Sequence, residues 1–222
     1  RVSMNKTTLK FNVMQGRMGF VGGAVLGVDW NPPAVFPTSA MGPIATNKFL
    51  GVYNFGTGGW KFIDNNQWNN GSNAVDETRS YGSTGPSGSK LVVNADNMPD
   101  IPASGRYRFI WDGTDVKNVH YEQSPATEMR MVGNGMVGIP DWNPGASPQM
   151  VYQGGGVWKL TIGLIAGRNF KFLSGNDWGA FDYEYGGPGI IKYDGGPDFP
   201  TPAANGTYTI TLNEHTQTYT IL

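Results

Sequence analysis

The chain has 222 residues, 39% hydrophobic and 13% aromatic, enough apolar surface to fold and too much for a disordered segment. A net charge of −1 and a pI near 6.1 provide no electrostatic footprint for nucleic acid or an anionic membrane. The absence of cysteine excludes disulfides, thiolate chemistry and cysteine metal sites.

The 33 glycines are roughly twice the average share, and 15 prolines accompany them. Both residues interrupt helices and serve turns, which predicts many short strands. Residues 1–16 are polar and basic, with one alternating piece around Leu9–Val13. We expect a tail there, or the last strand of a domain lying upstream. The chain begins at Arg1 rather than Met, as expected of a mature or trimmed fragment, so a signal peptide or anchoring residue would lie before it. No apolar run approaches the ~18–20 residues of a membrane helix.

From Met18 onward the sequence is written twice. Met18-Gly19-Phe20-Val21-Gly22-Gly23 leads to Asp29-Trp30-Asn31-Pro32, and Met131-Val132-Gly133-Asn134 leads to Asp141-Trp142-Asn143-Pro144. Trp60-Lys61-Phe62-Ile63 with Trp68 matches Phe170-Lys171-Phe172-Leu173 with Trp178. In each, a lone cation stands between two aromatics. On a strand, successive side chains point to opposite faces, so the aromatics face a core and Lys61 or Lys171 faces outward with the following Trp.

Further matches follow in order. Lys48–Val52 pairs with Trp158–Ile162, and Gly85-Pro86 with Lys90 pairs with Gly187-Pro188 with Lys192. Pro99-Asp100-Ile101-Pro102 pairs with Pro197-Asp198-Phe199-Pro200, and Gly105-Arg106-Tyr107 with Gly206-Thr207-Tyr208. The first copy carries a longer loop through Asn69 to Ser89, rich in Gly, Ser, Asn and Thr, expected to be exposed. Both copies close on alternating runs: Tyr107, Phe109 and Trp111, then Tyr208, Ile210, Leu212, Tyr219 and Ile221 among threonines. No stretch of ten residues has a helical period. The expected fold is all-β: two tandem immunoglobulin-like β-sandwich domains resembling carbohydrate-binding modules, at 17–124 and 125–222.

The order Val-Gly, Asp-Trp-Asn-Pro, Phe-Lys-Phe, Asp-Trp and Gly-Thr-Tyr-Thr-Ile-Thr-Leu resembles the SusE/SusF family of outer-membrane starch-binding lipoproteins over roughly residues 17–222. That resemblance implies a non-catalytic, cell-surface protein holding starch or malto-oligosaccharide (α-glucan) for a polysaccharide uptake system. Its partners would be the glycan and other outer-membrane uptake components, with membrane attachment only through a lipid anchor upstream. Carried over residue by residue, the substrate-binding set is Trp142, Lys171, Trp178 and Lys192 in the second copy. The first copy gives Trp30, Lys61, Trp68 and Lys90. The upstream lipidated cysteine and N-terminal module are absent from this chain.

The chemistry suits that assignment. An aromatic ring covers the apolar C–H face of a sugar, and a Lys donates charge-assisted hydrogen bonds to adjacent hydroxyls. Trp30, Trp68, Trp142 and Trp178 lie in turn sequences, which favours exposed platforms, whereas Trp60, Trp111 and Trp158 lie in alternating runs, which favours the core. A glycosidase would need two carboxylates across a cleft. Asp141, Asp177, Asp182 and Glu184 are available, but Asp141 and Asp177 occupy turn positions that Asp fills for backbone bonding. The first copy has Gln67 where the second has Asp177. We therefore expect no catalysis. His120 and His215 occupy unmatched positions with no nucleophile pattern nearby. The glycine runs do not lead from strand to helix, and Asp64-Asn65-Asn66 or Asp194 lacks enough oxygen ligands for calcium. Neither a cofactor nor a metal is expected. The alternatives are a spacer without sugar binding, or a different glycan.

Overall fold

The protein is described from a computed structural model covering residues 2–5, 10–13, 17–64, 68, 80–193 and 195–222. For residues 2–5, 10–13, 36 and 37 the description is of backbone alone. Asn65, Asn66, Gln67, Asp194 and most of the Asn69–Ser89 loop lie outside the described residues. The chain divides into two compact units, Arg1–Pro125 and Ala126–Leu222, and the described secondary structure is antiparallel β apart from one four-residue α-helix and two 3₁₀ turns.

In unit 1, β1 (Val2–Asn5) pairs with β2 (Lys10–Val13). The next strands are β3 (Gly19–Val21), β4 (Gly42–Ala45), β5 (Lys48–Phe55), β6 (Lys61–Ile63), β7 (Ser80–Gly82), β8 (Val92–Val93), β9 (Gly105–Asp112) and β10 (His120–Pro125). They form two four-stranded sheets, β10-β9-β5-β4 and β3-β6-β7-β8. Gly19 bridges Ala40 just before β4, and Lys90 just before β8 bridges His120. The two sheets are thereby bonded to each other at both edges, satisfying strand edges that would otherwise invite foreign pairing.

Unit 2 follows with β11 (Arg130–Gly133), β12 (Val151–Gly154), β13 (Val157–Leu164), β14 (Asn169–Leu173), β15 (Asp182–Gly187), β16 (Ile190–Tyr193), β17 (Phe199–Pro200), β18 (Gly206–Asn213) and β19 (Thr218–Ile221). Its nine strands make one sheet, ordered β11-β14-β15-β16-β19-β18-β13-β12, with β17 on β14. Arg130 bridges Gln149, at the approach to β12, so the sheet's ends meet. Apart from β17 here and the β1–β2 pair there, this is the order of unit 1 read through its edge bridges. The glycines Gly154, Gly155 and Gly156, all at positive φ, turn the β12–β13 hairpin, a conformation glycine adopts without steric cost.

The ladders correct three of the sequence matches. Phe49 pairs with Trp111 and Trp158 with Leu212, so Phe49, not Lys48, is the counterpart of Trp158. A one-residue slip exchanges faces, and both of these side chains are buried. The Met98 amide donates to the Trp60 carbonyl, while Phe199 pairs with Phe170. Met98 therefore takes the place of Phe199, three residues from the Pro-Asp-x-Pro match. Lys90 bridges His120 as Ile190 pairs with Thr218, and Tyr81 pairs with Val93 as Tyr183 pairs with Tyr193. The counterpart of Lys192 is Val92, and that of Lys90 is Ile190.

Aromatic side chains fill both cores. In unit 1, Phe20 contacts Phe55, Trp60, Phe62 and Phe109, with ring centroids 5.1–6.0 Å apart, the usual range for edge and tilted pairs. Trp60 is fully buried and its indole N–H donates to the Pro99 carbonyl at 3.1 Å. In unit 2, Phe170, Phe172, Phe199 and Tyr219 interlock. Glu214, fully buried, accepts from the Trp158 indole and the Tyr183 hydroxyl, each at 2.6 Å. These bonds satisfy groups that would be costly to bury alone.

Asp112 closes β9 in unit 1. Burial pushes its carboxyl up, but the Thr114 hydroxyl and amide and the Lys48 ammonium, 2.9 Å away, outweigh this and hold it at about 2. A depressed carboxyl contributes stability above the unfolded value, about 4, that is lost as pH falls through the folded one. Chemical denaturation between pH 6 and pH 2 should show unit 1 weakening from about pH 4 downward. Asp112→Asn should be less stable at pH 6 and lose less on acidification.

Candidate functional site

The site is built on β3 and β11, the short strands bonded along both edges. On one side of β3 lies β6, with Phe20 opposite Phe62 and Val21 opposite Lys61. On the other side the chain returns: the Gly22 amide donates to the Asp29 carbonyl (2.9 Å), Phe20 to Ser39 (3.3 Å) and Met41 to Met18 (2.8 Å). Trp30 lies in that return, and Trp68 follows β6. Unit 2 repeats the plan. β11 pairs with β14, which leads to Trp178, and the Trp142 amide donates to the Gly133 carbonyl at 3.2 Å.

The local sequence fixes each loop. Asn143 accepts from the Ala146 amide through its side chain and from the Ser147 hydroxyl through its carbonyl (2.7 Å), shaping the Pro144–Ala146 turn. Asp177 accepts from the Gly179 amide through its carboxylate at 2.8 Å, a turn-forming role. The tip is tied down where the Ser174 amide donates to the Phe181 carbonyl at 2.7 Å.

In both units the loop tryptophans meet. Trp30 and Trp68 have ring centroids 6.3 Å apart at 30°, and Trp142 and Trp178 are 6.4 Å apart at 34°. Trp30 and Trp68 are each 41% exposed and Trp178 54% exposed, while Trp142 is half-buried. At this separation the rings support each other and leave no room for a sugar between them. The apolar surface that remains runs across the pair, its two parts tilted by about a third of a right angle.

The Lys171 ammonium lies among three carboxylates: Glu184 at 2.6 Å, Asp182 at 3.5 Å and Asp198 at 3.8 Å. Burial pulls this ammonium down, and the three carboxylates, Glu184 foremost, outweigh that and raise it above the ordinary lysine value. Lys61 donates to the Ala95 carbonyl and Lys192 to the Gly195 carbonyl. Lys90 is exposed on the approach to β8. Asp182 and Glu184, at i and i+2 on β15, share the outward face with Lys171, a spacing legible in the sequence once the strands are known to be neighbours. Among the described residues no cluster of three His, Cys, Asp or Glu forms a metal site.

Two predictions follow from this geometry. Lys171→Met leaves three carboxylates without their cation, so it should destabilise unit 2 by about 2 kcal/mol, less than a fully buried pair because Lys171 is partly exposed. Thermal unfolding of the variant beside the wild type reads this deficit. Trp142 has φ +50°, a left-handed conformation costing a non-glycine residue about 1 kcal/mol. Trp142→Gly should therefore be more stable than Trp142→Ala by about that amount, since only Ala retains the backbone strain. Denaturant titration of the two variants tests this.

No family model matches the chain, and no curated protein matches it. Among solved structures it is similar to SusF from Bacteroides thetaiotaomicron, with 16% sequence identity and a TM-score of 0.42. The likeness covers 100% of this chain and 51% of that one; the chain spans about half the length of the protein it matches.

Proposed function

We propose that this is a non-catalytic glycan-binding protein with two tandem immunoglobulin-like modules, residues 17–124 and 125–222, each presenting one tryptophan platform. The ligand class is starch or related α-glucan, and the setting is a bacterial cell surface, with attachment through a segment upstream and other glycan-uptake components as partners. The observation that carries the reading is the recurrence of one geometry. Two units with the same strand order bring loop tryptophans together at nearly the same spacing and tilt, three of the four exposed. Tryptophans retained only for packing would be buried, as Trp60 and Trp158 are.

The tilt favours a polymer whose successive sugar faces turn, as in an α-1,4-glucan, over a flat ribbon. The polar rim would come from Lys171, Lys192, Lys61 and Lys90 together with neighbouring loop groups. Catalysis is not part of the proposal: Lys171 stands among the carboxylates that a hydrolase would set across a cleft. Two platforms on one chain gain from effective concentration when both reach the same polymer, so a weak single site, ~1 mM to 10 µM, is sufficient.

Isothermal titration of the chain with maltoheptaose is expected to give saturable binding at two sites. Trp178→Ala and Trp30→Ala should each remove one site, and the double variant both. Insoluble starch should be released by either single change more readily than affinity for the oligosaccharide falls. Absence of heat in the folded protein rejects the α-glucan; failure across neutral glycans would leave a spacer.

A further inference from the structure

Near the unit 1 tryptophan pair stands a side-chain amide, that of Asn97. The Trp30 ring rests over two glycines: a Cβ on Gly23 would lie 3.7 Å from its Nε1, and one on Gly59 would lie 3.5 Å from its Cζ2. The same Cβ on Gly59 would collide with the Asn97 side-chain nitrogen. Asn97 therefore fills the space that the missing side chain leaves open, beside the edge of the Trp30 ring. It is exposed, whereas the Lys61 ammonium is taken up by the Ala95 carbonyl.

From this we infer that Asn97 is the specificity-determining polar residue of the first platform, hydrogen-bonding adjacent hydroxyls of a neutral sugar stacked on Trp30. The inference rests on the glycan-binding reading above. An amide both donates and accepts, so it matches two neighbouring hydroxyls, each of which can do either. A lysine only donates. The second unit is built otherwise at the same ladder position. With Met98 in the place of Phe199, Asn97 corresponds to Asp198, an acceptor paired with Lys171 at 3.8 Å. Gly59 corresponds to Asn169, whose backbone N–H donates to the Asn134 side-chain oxygen. The two platforms share their rings but differ in the polar group beside them.

The test uses the whole chain carrying Trp178→Ala, so that titration with maltoheptaose reads the first platform alone. Adding Asn97→Ala should weaken binding about tenfold with an unchanged unfolding midpoint. Adding Gly59→Ala, which keeps the amide but pushes it away from the ring, should weaken binding to a similar degree. If both variants bind like their parent while Trp30→Ala abolishes binding, the role of Asn97 is overturned and the platform reading stands. If the Trp178→Ala parent does not bind but the wild type does, the first platform is not a site and the inference falls with it. If the folded wild type binds no glycan, the platform reading itself fails, and this inference with it.

Discussion

Backbone bonding on both edges of one very short strand sets the rest of the arrangement. In unit 1, β3 has three residues and yet joins β6 on one side and the returning chain before β4 on the other. The strand is too short to hold its place by its own side chains. It is held because Phe20 and Phe62 face each other in the core while the amides on either edge find carbonyls, and a lost pairing would leave buried amides unsatisfied. The two elements flanking β3 are the ones that carry Trp30 and Trp68. Fixing the strand therefore brings two loops, distant in sequence, to one place. In unit 2, β11 with Trp142 and Trp178 repeats the solution.

Much of this was legible because period-two alternation reports facing directly. Trp60 and Trp158 stand in alternating runs and are buried; Trp30, Trp68 and Trp178 stand in turn sequences and are exposed. What the sequence did not carry was register. Lys48–Val52 looks like a match for Trp158–Ile162 as an alternating strand, yet the ladder partners set Phe49, not Lys48, against Trp158. Pro-Asp-x-Pro recurs in both copies as a composition, while the ladder slides it by three. Register depends on which amide meets which carbonyl, and short strands bounded by variable loops give side chains little means of announcing it. The surroundings of Lys171 were hidden for a related reason. Asp182 and Glu184 become its partners only when β15 lies beside β14.

The two units share a backbone plan and diverge at the surface. On the outward face of β5 and β9, unit 1 places Leu50, Val52, Arg108 and Ile110, all buried. The corresponding positions of β13 and β18 hold Lys159, Thr161, Thr209 and Thr211, of which Thr161 and Thr209 join hydroxyls at 2.9 Å. Inward-facing positions stay apolar but change size: Phe55, Phe109 and Trp111 answer to Leu164, Ile210 and Leu212, so each closely packed core is filled by its own set of side chains. Outward positions are free to take on whatever each unit meets. The same contrast holds beside the tryptophan pairs, where Gly59 and Asn97 in one unit answer to Asn169 and Asp198 in the other.

The proposed recognition role remains open to Lys171 within its cage of carboxylates. An ammonium has three N–H donors. Glu184, at 2.6 Å, commits one at the short distance of a charge-assisted bond, whereas Asp182 at 3.5 Å and Asp198 at 3.8 Å lie beyond it. Those two carboxylates are held by charge more than by a directed bond. A hydroxyl approaching Lys171 would therefore compete with loose partners, keeping the Glu184 bond that anchors the side chain between β14 and β15. Its position, fixed by one tight bond, and its remaining donor capacity, left by two weak ones, come from the same three carboxylates. Structural support and ligand contact are thus compatible in a single side chain, and separating them requires changing its partners one at a time.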